Sequence, residues 1–122
     1  MSSINFEDLK DRNQGKDRYV QPDFYNIDDL LTEEHILIRN SVRDWVKREI
    51  SPIIEECAQK AEFPHHIIRG LGEIGAFGPQ LPAEYGCGGM DYITYGLIMQ
   101  ELERCDSGLR STASVQSSLV MY

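Results

Sequence analysis

The chain has 122 residues, 41% of them hydrophobic and 26% charged, a balance that belongs to an ordinary globular domain and leaves out the disordered and fibrous classes. Twenty acidic residues against twelve basic ones give a formal net charge of -8, so the clustered Lys and Arg of a phosphate-tracking groove are missing and nucleic acid is excluded as a partner. Charge interrupts every apolar run well short of the roughly 20 residues a membrane span needs.

Residues 1–26 are polar, with Phe6, Tyr19, Phe24 and Tyr25 scattered without a period, and they read as an irregular arm. Its aromatics either dock on something or belong to a frayed terminus. Glu7, Asp8, Asp11 and Asp17 put acid where a mitochondrial transit peptide is Arg-rich, and no secretory apolar core is present. The expected location is therefore cytoplasmic rather than the mitochondrial matrix. Cys57, Cys87 and Cys105 are odd in number and form no CxxC, so each reads as a reduced thiol acting as a small apolar residue.

From residue 27 to 122 the pattern is helical. Thr32, followed by Glu33 and Glu34, places an acceptor and negative charge at the open amides of a first turn. Apolar residues then recur at Leu37, Ile38, Val42, Trp45, Val46, Ile50, Ile53, Ile54, Cys57 and Ala61, steps of three and four that bury one face. Pro52 sits inside this stripe and predicts a kink at Ser51 rather than a break, because the stripe continues past it. Pro64 opens a second helix, His65 to about Gly75, with Ile67, Ile68, Leu71 and Ile74 as its apolar face; Gly70 and Gly72 suggest close helix contact.

Residues 76–91 hold Pro79, Pro82, Gly86, Gly88 and Gly89 and read as a crossover loop. As a phosphate cradle this loop is weak: no strand precedes it, no Lys-Ser/Thr ends it, and Asp91 lies where the anion would sit. His65 and His66 are helix neighbours about 100° apart, which cannot chelate a metal as an i, i+4 pair does. They read as a solvated pair, and no metal site is assigned. A third helix, about Tyr92 to Arg104, has Ile93, Leu97, Ile98 and Leu102 as its core stripe. Glu101 on it is a conceivable general base but reads as structural, so no catalytic residue is assigned. Asp106 or Ser107 caps a fourth helix from Leu109 to at least Tyr122. No Gly, cap or turn follows Leu119, Val120 and Met121, so the expectation is an all-α domain of about four helices, incomplete at its C-terminus.

On the fourth helix Arg110, Ser114 and Ser117 or Ser118 step by three and four, stacking a guanidinium and hydroxyls along one face. Leu109, Ala113 and Leu119 or Val120 line the neighbouring face, so the helix reads as central. An arginine there requires an anion, either a carboxylate of the protein or one on a ligand, and spacing leaves both open.

Several segments resemble the N-terminal helical domain of acyl-CoA dehydrogenases: Thr32-Glu33-Glu34, Gly72-Glu73-Ile74-Gly75 with Phe77-Gly78, Pro82-Ala83-Glu84-Tyr85-Gly86, and Gln100-Glu101-Leu102-Glu103-Arg104 before Asp106-Ser107-Gly108. The run Arg110-Ser111 with Ser114-Val115-Gln116-Ser117-Ser118-Leu119 resembles glutaryl-CoA dehydrogenases within that family. The resemblance implies a homotetrameric FAD enzyme of helical, β and helical domains, in which a glutamate takes the α-proton and hydride leaves to the flavin. It implies electron-transfer flavoprotein as the partner, glutaryl-CoA as substrate, and decarboxylation to crotonyl-CoA and CO2. Carried onto this chain, Arg110 would grip the distal carboxylate, with Ser111 and Ser114 shaping that end of the pocket. The family's catalytic glutamate and most flavin contacts fall beyond Tyr122, so cofactor-binding residues stay unassigned. Short-chain acyl-CoA oxidases and monocarboxylate dehydrogenases share the scaffold, and an uncharged residue at position 110 would favour them. A non-catalytic helical docking module is the alternative outside enzymes.

Overall fold

A computed structural model of the chain describes residues 4–13 and 23–121, with side chains described at 4–10 and 23–121. Asp17, Tyr19 and Tyr122 lie outside the described residues. The helices are α1 (Phe6–Asn13), α2 (Glu33–Glu49), α3 (Ile54–Gln59), α4 (Ile67–Glu73), α5 (Tyr92–Cys105) and α6 (Ser107–Ser114). Short 3₁₀ turns lie at Ile27–Leu30 and Ala83–Tyr85, a π-helical turn follows α6 at Val115–Val120, and no strand occurs among the described residues. The all-α expectation holds. No helix among the described residues is long and apolar enough to cross a membrane.

Thr32 caps α2 as its position predicts, its hydroxyl accepting from the His35 amide at 3.2 Å. The His35 ring answers it: Thr32 N–H donates to Nδ1 at 3.2 Å, closing a capping box with His in the place usually held by Glu or Gln. The expected kink at Pro52 is instead a break. Proline has no amide to give and its ring crowds the carbonyl four residues back, so the chain between α2 and α3 reroutes its bonds. Ile50 and Ser51 both donate to Val46 O, and Ile53 and Ile54 both donate to Ile50 O. Residues 50–53 are all buried, so the apolar stripe survives although the helix does not.

Two helix ends use the same device with different residues. At α4 the Ala76 amide reaches Leu71 O while Gly75 takes φ 76°. At α3 the Glu62 amide reaches Cys57 O, and the left-handed position falls to Ala61, φ 50°. Ala61, expected on the buried stripe, is therefore an exposed cap.

The main core joins Val42, Trp45, Val46 and Ile50 to Ile67 and Leu71 of α4, Ile98 and Leu102 of α5, and Leu109 and Ala113 of α6. Each such aliphatic side chain contributes about 1.5–3 kcal/mol by leaving water. Gly70 lets α4 approach α2: a Cβ there would sit 2.6 Å from Trp45 Cζ2. Gly72 meets only ordinary contact, with Phe77. Leu37, Ile68 and Ile93, placed on buried stripes by periodicity, are exposed, and His35 and Thr94 take buried positions near two of them.

The arm expected to be irregular contains α1. Ile4 and Leu9 join Ile53 and Cys57 in a second apolar cluster, with Phe6 packed against it. Farther along the arm, Phe24 and Tyr25 are exposed, and the 3₁₀ turn after them is tied to α2 through Asp28 and Arg39. At the other end, the fourth helix changes register: α6 stops at Ser114, and the wider π turn takes the chain to Val120.

Replacing Ala61 with Gly is expected to raise stability by about 1 kcal/mol, because only glycine takes the left-handed cap without a Cβ clash. Thermal unfolding measures it, and an unchanged midpoint would mean Ala61 is unstrained. Gly70→Ala is expected to destabilise by about 1–3 kcal/mol through overpacking against Trp45. Trp45 is the single tryptophan, so its fluorescence during urea unfolding reports the change directly.

Candidate functional site

The polar face of α6 begins with its cap. Asp106 accepts from the Leu109 amide at 2.8 Å, the first of the two residues expected for this role, and Ser107 is the first helical residue. Arg110 lies one turn on and is half-buried. Its Nε donates to Glu103 Oε2 on α5 at 2.7 Å, and its Nη1 donates to Ser114 Oγ at 3.1 Å. Glu103 also accepts from the Ser107 hydroxyl at 2.6 Å. That hydroxyl first, and then Arg110, hold its carboxyl below the usual range.

The Arg110 and Ser114 pairing read from spacing is thus present, and Ser111 sits beside it, half-buried, with its carbonyl accepting from Ser114 Oγ. The third member of the stripe differs. Ser118 faces solvent and bonds back to Ser114 O, whereas Ser117 turns into the core, accepting from Gly78 N at 2.8 Å and donating to Ala76 O at 3.1 Å. The π turn rotates it off the Arg110 face. Leu119 and Val120, expected to line an apolar face, are largely exposed, Leu119 at 77%.

Behind this face lies a buried carboxylate. Glu101 is 2% exposed and accepts from Arg43 Nε and Nη2 at 3.0 and 2.9 Å, and from Arg104 Nη1 at 3.0 Å. This is the structural role expected for it. Its partner Arg43 has no sequence signal, since it comes from α2, 58 residues away. His35 was equally unsigned: its Nε2 meets Asp91 Oδ2 at 2.8 Å. Because Thr32 N–H can only donate to Nδ1, the ring carries its proton on Nε2 and gives it to Asp91. Asp91 caps α5, accepting from the Thr94 amide at 2.8 Å. That amide first, and then His35, hold its carboxyl down at about 2.

Three amides of the glycine-rich loop are spent on the loop itself. Gly86 N–H donates to Ala83 O, Gly89 N–H to Leu81 O and Met90 N–H to Pro79 O, which supports the crossover reading over a phosphate cradle. His65 and His66 are both exposed, and each meets a phenylalanine, Phe63 and Phe6 respectively. Cys57 is buried, Cys87 and Cys105 partly so, and all three are free thiols.

Residues 32–122 match the family described as "Acyl-CoA dehydrogenase, N-terminal domain". Among curated proteins the chain is 44% identical over 75 residues to the 3-(aryl)acrylate reductase of Clostridium sporogenes, covering 62% of this chain and 20% of that one. It is 33% identical over 89 residues to an acyl-CoA dehydrogenase of Bacillus subtilis, covering 73% of this chain and 24% of that one. Among solved structures it is similar to the glutaryl-CoA dehydrogenase of Mycobacterium smegmatis, at 44% identity and a TM-score of 0.74 over 79% of this chain and 25% of that one. The chain thus spans about a fifth to a quarter of the length of these relatives.

Since the folded Asp91 carboxyl titrates below its ordinary 3.8, its contribution to stability is complete above about pH 4 and is lost as pH falls toward 2. Asp91→Asn, which keeps an N-cap oxygen without the charge, is expected to flatten the stability curve in that window. A slope equal to wild type in acid unfolding would contradict the assignment.

Proposed function

The chain belongs to the acyl-CoA dehydrogenase family as an N-terminal segment, and we propose that the whole protein is a glutaryl-CoA dehydrogenase, oxidising glutaryl-CoA and releasing CO2 to leave crotonyl-CoA. The observation that carries this reading is Arg110, a half-buried guanidinium on α6 with Ser111 and Ser114 beside it. A planar fork of N–H donors fits the distal carboxylate of a dicarboxylic acyl chain and offers nothing to an aliphatic end. Glu103, its present carboxylate partner, is exposed and can be ceded to water when a substrate carboxylate arrives. The 44% identity to the Mycobacterium smegmatis enzyme supports the same substrate.

The proposal for the whole protein includes FAD as hydride acceptor, electron-transfer flavoprotein as the oxidant that follows, and a homotetramer. In the glycine-rich loop the Gly86, Gly89 and Met90 amides are already bonded internally, which argues against a flavin-phosphate cradle there, so no residue of this chain is assigned to FAD. What these residues supply is the grip on the far end of the acyl chain.

A second reading, a family member acting on another acyl thioester, draws on the internal pairing of Arg110 with Glu103 and on the equal 44% identity to the 3-(aryl)acrylate reductase. Arg110→Ala in the full-length enzyme separates the two. We expect kcat/KM for glutaryl-CoA to fall roughly 100-fold while that for butyryl-CoA changes less than about threefold. Equal losses with both substrates would assign Arg110 to the scaffold and favour the second reading.

A further inference from the structure

Residues 4–10 precede the matched domain, which begins at residue 32, yet they are folded onto it. Ile4 and Leu9 are buried against Ile53 and Cys57, and the Phe6 ring lies 4.7 Å from the ring of His66. Lys10 reaches Glu49, the last residue of α2, at 2.5 Å, and its side chain is mostly covered. This cluster shares no buried residue with the main core. A helix of eight residues is not stable alone in water, so α1 is helical because it is docked. The apolar gain from three side chains is of the same order as the entropy of ordering the segment, which leaves the docked form only modestly favoured.

We propose that α1 is a separable latch, closed by Ile4, Phe6, Leu9 and the Lys10–Glu49 ion pair, that opens and closes over the flank of α3 and α4 while the main core stays folded. Closed, it covers Cys57, which is 3% exposed. Open, it uncovers Ile53 and Cys57 beside an apolar groove of about 270 Å³ that Cys57 already adjoins, between Ile54, Phe63, Ile67 and Leu109. The latch therefore sets how far that groove extends and whether the thiol meets solvent. Burial pushes the Cys57 thiol up, so in the closed form it is doubly withheld from alkylation.

The test is the rate of Cys57 alkylation by iodoacetamide in the full-length protein, read on the Cys57 peptide by mass spectrometry, with unfolding midpoints followed in parallel. Leu9→Asp is expected to speed labelling roughly 10-fold or more with the main unfolding transition retained. Lys10→Glu, which sets a third carboxylate beside Glu7 and Glu49, is expected to act in the same direction, and adding Glu49→Lys is expected to restore slow labelling. Equal labelling in wild type and Leu9→Asp would overturn the proposal. So would loss of the main transition in Leu9→Asp, or a charge swap that fails to restore protection.

Discussion

Glu101 sits at the contact between α2 and α5 with almost no solvent, and a carboxylate there is tolerable only if its charge is met on the spot. Arg43 meets it from α2 with two donors, and Arg104 meets it from the next turn of α5. Removing Arg43 would leave Glu101 with the single Arg104 donor, and Oε1 would lose its charged partner inside the contact, which a buried carboxylate tolerates poorly. The bond is therefore a register pin. It fixes how α5 is rotated and slid against α2, and once that is fixed Glu103, two residues on and roughly 200° around the helix, faces away from α2 and toward α6. The position of Arg110 follows from that choice. The polar face on which the substrate reading rests is thus set by a carboxylate that never touches it.

The parts of the fold that could be read from sequence are those in which chemistry is local. Thr32 and Asp106 cap helices because a side-chain oxygen next to open amides has little else to do. Gly70 marks a close approach because nothing larger fits under Trp45. Pairing of Arg110 with Ser114 follows from one helical turn. The failures share a different cause. Leu37, Ile68 and Ile93 lie on plausible stripes, but a stripe about 100° wide does not say which of its edges a neighbouring helix will reach. Pro52 breaks the helix while the stripe continues, carried across four buried non-helical residues. His35 and Arg43 are invisible to periodicity because their partners, Asp91 and Glu101, are more than fifty residues away.

Acidity is also organised, although the composition shows only an excess. Asp91 and Asp106 cap helix N-termini, and Glu33 and Glu34 fill the first turn of α2, where a carboxylate opposes the positive end of the helix dipole. Glu49, Glu101 and Glu103 each take a basic side chain from another part of the chain. The arginines and lysines thereby serve as long-range ties, joining α1 to α2, α2 to α5 and α5 to α6. A protein with twenty acids and twelve bases can place Lys10, Arg39, Arg43 and Arg110 this way and still carry an excess of negative charge.

The loop between α4 and α5 looks by composition like the softest part of the chain, with its prolines and glycines close together. Its amides say otherwise, since Leu81, Gly86, Gly89 and Met90 all donate within the loop, and Gly78 donates to Ser117. In hydrogen-exchange terms these protons belong with the helices rather than with the solvent. A segment tied at these amides resists bending, so relative motion of α4 and α5 is opposed by the very loop that joins them.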